Sequence, residues 1–254
     1  MSVPEFALLA LAGFAAGLVG SVAGLASLIS YPALLATGLP PLTANVTNTV
    51  ALVLNGVGSV SASRPELAGQ RARVQRLGAA ALLGGVTGAA LLLLTPSDAF
   101  EKVVPFLIAG ASAAILVQRP ARELAAEGAA AGPKRDSRGL VAGTFLVSVY
   151  GGYFGAAAGV LLLAMFLLVI GEGVPRGNAL KNVVLALANG VAAVGYAFLA
   201  HVAWFAALPL ALGFLLGGRL GPRVVRRVPQ TLLRRLIAVA GLGLAVHLGI
   251  DAFG

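Results

Sequence analysis

Two thirteen-residue stretches of the chain share a pattern of asparagines. Residues 44–56 read A-N-V-T-N-T-V-A-L-V-L-N-G, and residues 178–190 read N-A-L-K-N-V-V-L-A-L-A-N-G. The matched positions are Asn48, Asn55 and Gly56 in the first stretch and Asn182, Asn189 and Gly190 in the second, each 134 positions later (182 − 48). Two asparagines seven residues apart lie on one face of a helix. Because a buried amide needs hydrogen-bond partners in apolar surroundings, this repeated polar face predicts a binding site.

The amide, hydroxyl and ammonium groups of these stretches are candidate ligands for a substrate. They are Asn45, Thr47, Asn48, Thr49 and Asn55 in the first stretch and Asn178, Lys181, Asn182 and Asn189 in the second. We expect Asn48 and Asn182 to contact the substrate because they lie nearer the predicted helix breaks. For Asn55 and Asn189, which lie deeper in their helices, a purely structural role in bridging helices is an equal alternative.

A glycine-rich joint precedes each stretch and supplies a second candidate binding feature. Residues 19–27 read V-G-S-V-A-G-L-A-S, and residues 150–156 read Y-G-G-Y-F-G-A. A helix that breaks there exposes free backbone N–H groups, and a helix N-terminus attracts anions. The glycines and hydroxyl donors of these joints are Gly24, Ser27, Ser30, Tyr31, Tyr150, Tyr153 and Gly155. The alternative is that the small residues only allow close helix packing.

Acidic residues are absent from the interior of the predicted helices, which argues against a carboxylate proton relay. A buried anion held by neutral donors, with one cation at Lys181, fits this composition. The membrane potential favours outward movement of an anion by roughly 2.3 kcal/mol per charge at about 100 mV, so export needs no coupling ion, although ion coupling stays open. His201 and His247 are isolated, and the sequence has no metal-ligand set, phosphate loop or nucleophile motif. We therefore expect no metal, no cofactor and no enzymatic activity.

The composition is that of an integral membrane protein. The chain has 254 residues, of which 59% are hydrophobic and 11% charged, and its mean hydropathy is +0.95. A soluble domain usually carries about 25% charged residues. The net charge of +9 comes from a few short basic loops, which the positive-inside rule explains without a nucleic-acid partner. Cysteine is absent, and the apolar N-terminus lacks a basic region, so we expect a first membrane segment there and not a cleaved signal.

Apolar segments with glycine and proline breaks predict an all-α fold with about eight to ten membrane segments. The predicted helices cover residues 5–22, 24–37, 42–62, 75–95 and 99–118, and then 139–154, 156–171, 177–199, 203–221 and 230–250. The short ones either cross a thin region or form re-entrant hairpins. Residues 1–118 and 139–254 are the two predicted domains, and residues 119–138 form a polar cytoplasmic linker between them.

The second half of the sequence repeats the first. Phe14, Gly20 and Gly24 match Phe145, Gly151 and Gly155 at an offset of 131 (145 − 14), and Gly84 matches Gly217 at 133 (217 − 84). Five segments per repeat is an odd number, so the second copy should enter the membrane inverted. Loops 64–76 and 219–235 are basic while their counterparts, near 200–203 and 96–102, are not. We therefore predict an inverted repeat with the basic loops in the cytoplasm, both termini outside it and the site at the repeat interface.

The motifs of both halves resemble the sulfite exporter TauE/SafE family. Residues 17–24, G-L-V-G-S-V-A-G, lead to Y-P-A-L-L-A-T-G at 31–38 and then to the first asparagine stretch. Residues 152–159, G-Y-F-G-A-A-A-G, lead to the second, so the resemblance covers nearly the whole chain. It implies a transporter of small sulfur-containing anions such as sulfite, thiosulfate, sulfoacetate or other organosulfonates. The chain departs from the family pattern at residues 24–27, where more glycines are usual, and at residues 162–164, where a proline is usual.

These observations together predict a secondary transporter that moves a small sulfur-containing anion across the cytoplasmic membrane by alternating access, in the direction of export. A passive, channel-like conduit for the same anions is one alternative. A membrane scaffold or assembly factor that transports nothing is another. The predicted partners are the anionic substrate and the lipid bilayer, and homo-oligomerisation stays open.

Overall fold

The computed structural model describes residues 1–132, 137–224 and 230–253, and side chains within 1–132, 137–221 and 235–253. Every regular element in these ranges is an α-helix, which confirms the predicted all-α class. The helices are α1 Val3–Ala23, α2 Ser27–Leu35, α3 Pro41–Ala62, α4 Arg64–Leu67, α5 Arg71–Leu93, α6 Ser97–Val117, α7 Ala121–Ala130, α8 Arg138–Tyr153, α9 Ala158–Ile170, α10 Val174–Leu199, α11 Trp204–Val224 and α12 Gln230–Phe253.

Six of the described helices are long and apolar enough to cross a membrane, namely α1, α5, α6, α10, α11 and α12. Helix α3 has 22 residues, which is also the length of a crossing, but its asparagines and threonines make it more polar. Shorter helices lie between the long ones, among them the apolar α9 with 13 residues. The chain is therefore a multi-pass membrane protein with short helices inserted into each half.

Left-handed residues end the two interrupted helices at the predicted joints. Gly24 follows α1 with a φ of 76°, and Gly155 follows α8 with a φ of 78°. Ala157, directly before α9, also has a positive φ, of 59°. Glycine adopts this conformation without the steric penalty that other residues incur, and it therefore ends a helix readily. Because the turns occupy these extra residues, α2 and α9 are shorter than the predicted helices 24–37 and 156–171.

The predicted polar linker contains a helix that packs against the second half. Leu124 of α7 is buried against Leu163 and Leu167 of α9. Gly128, one turn after Leu124 on the same face, lies against the Leu167 carbonyl. This apolar face holds α7 in place although most of the segment is charged or small. The linker residues Lys134, Arg135 and Asp136, and Arg226 and Arg227 of the basic loop 219–235, lie outside the described residues.

Helices of the two halves pack together in equivalent pairs. Helix α1 lies along α11, helix α8 lies along α5, and α6 pairs with α12. Glycines allow these approaches. A side chain built on Gly84 of α5 would collide with the Phe145 carbonyl of α8, and one built on Gly217 of α11 would collide with the Phe14 carbonyl of α1. The two contacts thus occur at positions that the sequence repeat matches.

An ion network joins the two halves at one end of the helix bundle. Glu172, in the turn between α9 and α10, contacts Arg73 of α5 at 2.7 Å and Arg176 of α10 at 2.8 Å. Arg176 also donates to the Ala68 carbonyl at 3.1 Å. Loop 64–76 and the α9–α10 turn therefore lie at the same end of the bundle.

A cavity, which we call the end cavity, lies where α3 and α6 begin and where α5 and α10 end. Its volume is about 360 Å³, and its lining includes Pro40, Thr95, Glu101 and His201. Because α3, α5 and α10 each have their other terminus near the ion network, the end cavity marks the opposite end of the bundle.

The substitution Gly217→Ala tests the close contact between α1 and α11. Its added methyl group would meet the Phe14 carbonyl and the backbone of Leu18, so we expect stability to fall by about 1–3 kcal/mol, the usual cost of overpacking. The matched control is Gly243→Ala in α12, where an added Cβ meets no atom within 4 Å. Thermal unfolding of the purified protein in detergent should show a lower midpoint for Gly217→Ala than for the control. Equal midpoints would contradict the packing described here.

Candidate functional site

The polar faces of the two halves converge where α3 crosses α10. Every asparagine of the chain lies in one of these two helices. At the crossing, a Cβ added to Gly56 of α3 would lie 2.7 Å from the Cβ of Ala186 in α10. The first joint also meets the start of α9, because a side chain at Gly24 would overlap the backbone of Gly159. The features that the sequence singles out are therefore brought to one place.

A cavity of about 40 Å³, which we call the central cavity, lies at this convergence. It is lined by equivalent residues of the two halves, namely Gly20 and Gly151, Gly24 and Gly155, Ser27 and Ala158, Leu52 and Ala186, and Asn55 and Asn189. One ordered water needs roughly 10–15 Å³ of such space. The central cavity therefore accommodates a molecule or ion of a few heavy atoms.

Two helix N-termini border the central cavity. Ser27 is the first residue of α2 and Ala158 the first residue of α9, and both line the cavity. The first N–H groups of a helix have no partner within the helix, and they carry partial positive charge. Two such ends beside one cavity favour an anion, although at α9 the Ala158 N–H already donates to the Gly155 carbonyl at 3.2 Å.

The described side chains that line the central cavity include no acidic or basic residue. Its polar groups are amides and hydroxyls, among them Thr49, Asn55 and Asn189. The buried Oδ1 of Asn55 has no hydrogen-bond partner among the described residues. The arrangement can hydrogen-bond a small polar molecule or ion, but it supplies no full charge to neutralise one.

The broken end of α1 is capped by side chains of α10. Lys181 is fully buried, and its Nζ donates to the carbonyls of Gly20 and Ser21 at 3.0 and 3.3 Å. Asn178 and Asn182 both donate to the Ser21 carbonyl, at 2.9 and 3.2 Å. Carbonyls in the last turn of a helix lack helical partners and favour a cation. Lys181 therefore contacts the end of α1 and does not line the central cavity.

The broken end of α8 is capped in a different way. The Asn45 Nδ2 donates to the Tyr153 carbonyl at 2.9 Å, across the two halves. The Tyr196 hydroxyl of α10 donates to the Gly152 carbonyl. The Tyr153 side chain points away from the central cavity, and its hydroxyl donates to Thr95 Oγ1, beside the end cavity, at 3.4 Å.

Asn48 and Thr47 of α3 are bonded to neighbouring protein groups. Asn48 Nδ2 donates to Ser27 Oγ at 3.2 Å, and Ser30 Oγ donates to Asn48 Oδ1 at 2.6 Å. Thr47 Oγ1 accepts the backbone N–H of Ala203 at 3.0 Å. Asn48 therefore does not line the central cavity, but it donates a hydrogen bond to Ser27, which does.

The predicted site residues fall into two groups by position. Those that line the central cavity are Gly24, Ser27, Asn55, Gly155, Asn182 and Asn189. Those that bond to groups around it are Asn45, Thr47, Asn48, Tyr153, Asn178 and Lys181. Sequence reasoning does not identify Leu52 and Ser59, which also line the cavity. The sequence spacing could have indicated Ser59, because it lies four residues after Asn55 and therefore on the same helix face.

Comparison with known proteins gives one family and several relatives. The family model described as "Sulfite exporter TauE/SafE" matches residues 9–248. The "Probable membrane transporter protein ORF9" of a Sinorhizobium species is 29% identical over 247 residues, which cover 96% of this chain and 92% of that protein. The "Probable membrane transporter protein YfcA" of Escherichia coli K12 is 26% identical over 252 residues, covering 94% and 87%. A "Probable membrane transporter protein" of Haemophilus influenzae is 25% identical over 260 residues, covering 99% and 97%. No solved structure matches the chain.

The variants Gly24→Ala and Gly38→Ala distinguish the cost of backbone strain from the cost of losing the close contact between Gly24 and the start of α9. Both glycines are left-handed, with φ of 76° and 81°, and this conformation costs alanine roughly 1–2 kcal/mol. Only at Gly24 does the added Cβ collide with the Gly159 backbone, whereas nothing lies within 4 Å at Gly38. We expect Gly24→Ala to lower the midpoint of thermal unfolding further than Gly38→Ala does. Equal midpoints would show that stability does not depend on the joint contact.

Proposed function

The chain is a membrane transporter that belongs to the sulfite exporter TauE/SafE family, and from this premise we propose that it is a secondary transporter of small sulfur-containing anions. The substrate class is sulfite, thiosulfate or an organosulfonate, carried out of the cell across the cytoplasmic membrane by alternating access. The observation that carries the proposal is the central cavity, to which both halves contribute uncharged hydrogen-bonding groups at equivalent positions.

The chemistry of the central cavity favours an anion over a cation. The N-terminus of α2 supplies backbone N–H donors, and the side-chain amides of Asn55, Asn182 and Asn189 each carry two N–H groups, of which one on Asn182 is used by the Ser21 carbonyl. No described carboxylate lines the cavity to hold a cation or to repel an anion. Its volume of about 40 Å³ suits a compact anion such as sulfite or thiosulfate better than a large metabolite.

The packing supports an inverted repeat of residues 1–118 and 139–254, joined by the linker 119–138. The contact of α1 with α11 has its counterpart in the contact of α8 with α5. The α9–α10 turn lies at one end of the bundle with loop 64–76, whereas its counterpart, the α2–α3 turn around Pro40, lies at the opposite end. An inverted repeat requires equivalent turns at opposite ends, and transporters of this kind bind substrate where the repeats meet.

The charge distribution supports a sidedness for this architecture. Loop 64–76 is basic, so the positive-inside rule favours the cytoplasm for the end of the bundle that holds the ion network. The end cavity then opens outside the cytoplasm, and both termini lie on that side. An anion that leaves by this route moves down the membrane potential, which contributes roughly 2.3 kcal/mol per charge at about 100 mV.

Transport by the purified protein in proteoliposomes tests the proposed function. We expect saturable movement of sulfite or thiosulfate, with counterflow when the anion is present on both sides. The substitution Asn189→Ala removes an amide from the cavity lining and should lower kcat/KM about tenfold, the effect of one hydrogen bond to an ion. The matched control is Thr87→Ala, on an exposed face of α5, where the hydroxyl donates to its own helix.

Two outcomes of this assay would contradict the proposed carrier, and a third would contradict the binding role of Asn189. Unsaturable flux with a large unitary conductance would indicate a passive conduit. Failure of the wild-type protein to move any anion across a panel of sulfite, thiosulfate, sulfonates and simple carboxylates would favour a scaffold. Equal loss of transport and of folded yield in Asn189→Ala would assign that amide a structural role.

Reporter tags on the two termini test the proposed sidedness. We expect both tags to be accessible from outside the cytoplasm because each half has an odd number of segments and the halves are inverted. A third tag inserted after Gly69, in the turn between α4 and α5, should report the cytoplasm. A cytoplasmic C-terminal tag together with an external N-terminal tag would rule out the inverted arrangement.

A further inference from the structure

Among the described residues that line the central cavity, three bear hydroxyl groups, namely Ser27, Thr49 and Ser59. Thr49 donates its proton to the Asn45 carbonyl of its own helix at 3.0 Å. Ser59 donates to the Gly56 carbonyl, also within its helix, at 3.3 Å. Ser27 differs, because its Oγ accepts a hydrogen bond from Asn48 and its own proton has no acceptor among the described residues.

The distances around Asn48 favour one direction for its amide. Its Oδ1 lies 2.6 Å from Ser30 Oγ, a separation typical of O–H···O bonds and short for N–H···O. Its Nδ2 lies 3.2 Å from Ser27 Oγ, within the range of N–H···O bonds and long for O–H···O. The Ala26 carbonyl, 3.0 Å from Ser30 Oγ, already accepts the backbone N–H groups of Ile29 and Ser30. Of the two acceptors of Ser30 Oγ, the Ala26 carbonyl and Asn48 Oδ1, we therefore assign the proton to Asn48, which in turn donates to Ser27.

We propose that Ser30 and Asn48 form a positioning relay that directs the hydroxyl proton of Ser27 into the central cavity, where it donates to an oxygen of the bound anion. This inference rests on the proposed function and names a specificity determinant for it. A hydroxyl has one proton to donate, and Ser27 accepts from Asn48 through a lone pair, so the proton is left for the cavity. Ser30 and Asn48 are both buried, which keeps the relay away from solvent.

The relay makes the site selective for hydrogen-bond acceptors. Ser27 begins α2, so its hydroxyl and the free N–H groups of that helix end act on the same oxyanion. An Asn48 amide turned the other way would accept the Ser27 proton and present lone pairs to the cavity, which an anion avoids. The equivalent residue of the second half is Ala158, which has no hydroxyl, so the donation comes from one side only.

Kinetics of thiosulfate transport in proteoliposomes test the role of Ser27. The substitution Ser27→Ala should raise KM about tenfold with little change in kcat, because it removes one hydrogen bond to an ion. Ser27→Thr, which keeps the hydroxyl, should restore most of the affinity. The matched control is Ser61→Ala in α3, whose hydroxyl donates to the Gly58 carbonyl at 2.8 Å and does not line the cavity, and whose KM should equal that of the wild type.

A double-mutant cycle tests the relay. Asn48→Ala should raise KM several-fold because the Ser27 hydroxyl loses its orientation. Adding Asn48→Ala to Ser27→Ala should raise KM no further, since residues that act through one contact are not additive. Should Asn48→Ala fail to fold, Ser30→Ala breaks the first step of the relay and should show the same lack of additivity. Additive losses would overturn the relay and make Asn48 an independent ligand.

The results of these experiments distinguish a failure of the relay from a failure of the proposed transport function. A wild-type protein that transports thiosulfate, together with Ser27→Ala at the wild-type KM, would overturn the relay and leave the transport function standing. A wild-type protein that neither transports nor is thermally stabilised by thiosulfate, sulfite or a sulfonate would overturn both. The expected result is a KM effect that the hydroxyl of Ser27→Thr rescues and that depends on Asn48.

Discussion

A helix that breaks inside a membrane protein leaves backbone groups on both sides of the break that require partners. In this chain carbonyl groups on the ending side of each break accept hydrogen bonds from side chains. Lys181, Asn178 and Asn182 cap the end of α1, and Asn45 contributes to the cap on the end of α8. The N–H side of each break, at the start of α2 and α9, borders the central cavity. The same breaks that cost hydrogen bonds therefore create donors for the proposed site, and each half contributes caps to the other.

The caps also determine the charge of the cavity. Lys181 is the cation nearest the site by sequence, yet its Nζ is bonded to Gly20 and Ser21, so the cavity lining stays uncharged. A transport site must bind its substrate well enough to admit it and weakly enough to release it. Amides, a hydroxyl and helix N-termini meet this requirement better than a bare ammonium group. The repeat is asymmetric here, since the residue equivalent to Lys181 is Thr47, which accepts from Ala203.

The sequence predicts the breaks and the asparagine faces well because both follow from local chemistry. Glycine ends a helix wherever its left-handed conformation is used, and amides in apolar segments need partners. The roles of Asn48 and Asn55 are less predictable, because they share a face of α3 but meet different neighbours. Asn48 is covered by the serines of α2, whereas Asn55 lies beside the crossing with α10 and lines the cavity. The sequence also does not predict helix α7. Leu124 is buried only because α7 packs against α9, and this contact cannot be read from the local sequence.

The packing limits what can move during the proposed alternating access. Helix α11 of the second half packs on α1 and α3, and helix α5 of the first half packs on α8 and α10. The glycine contacts of these groups are between backbones, so little sliding is possible within each group. The groups meet where Gly56 of α3 crosses Ala186 of α10, beside the central cavity. For the proposed alternating access we therefore expect relative motion between the group of α1, α3 and α11 and the group of α5, α8 and α10, and the crossing of α3 and α10 would transmit that motion to the proposed site.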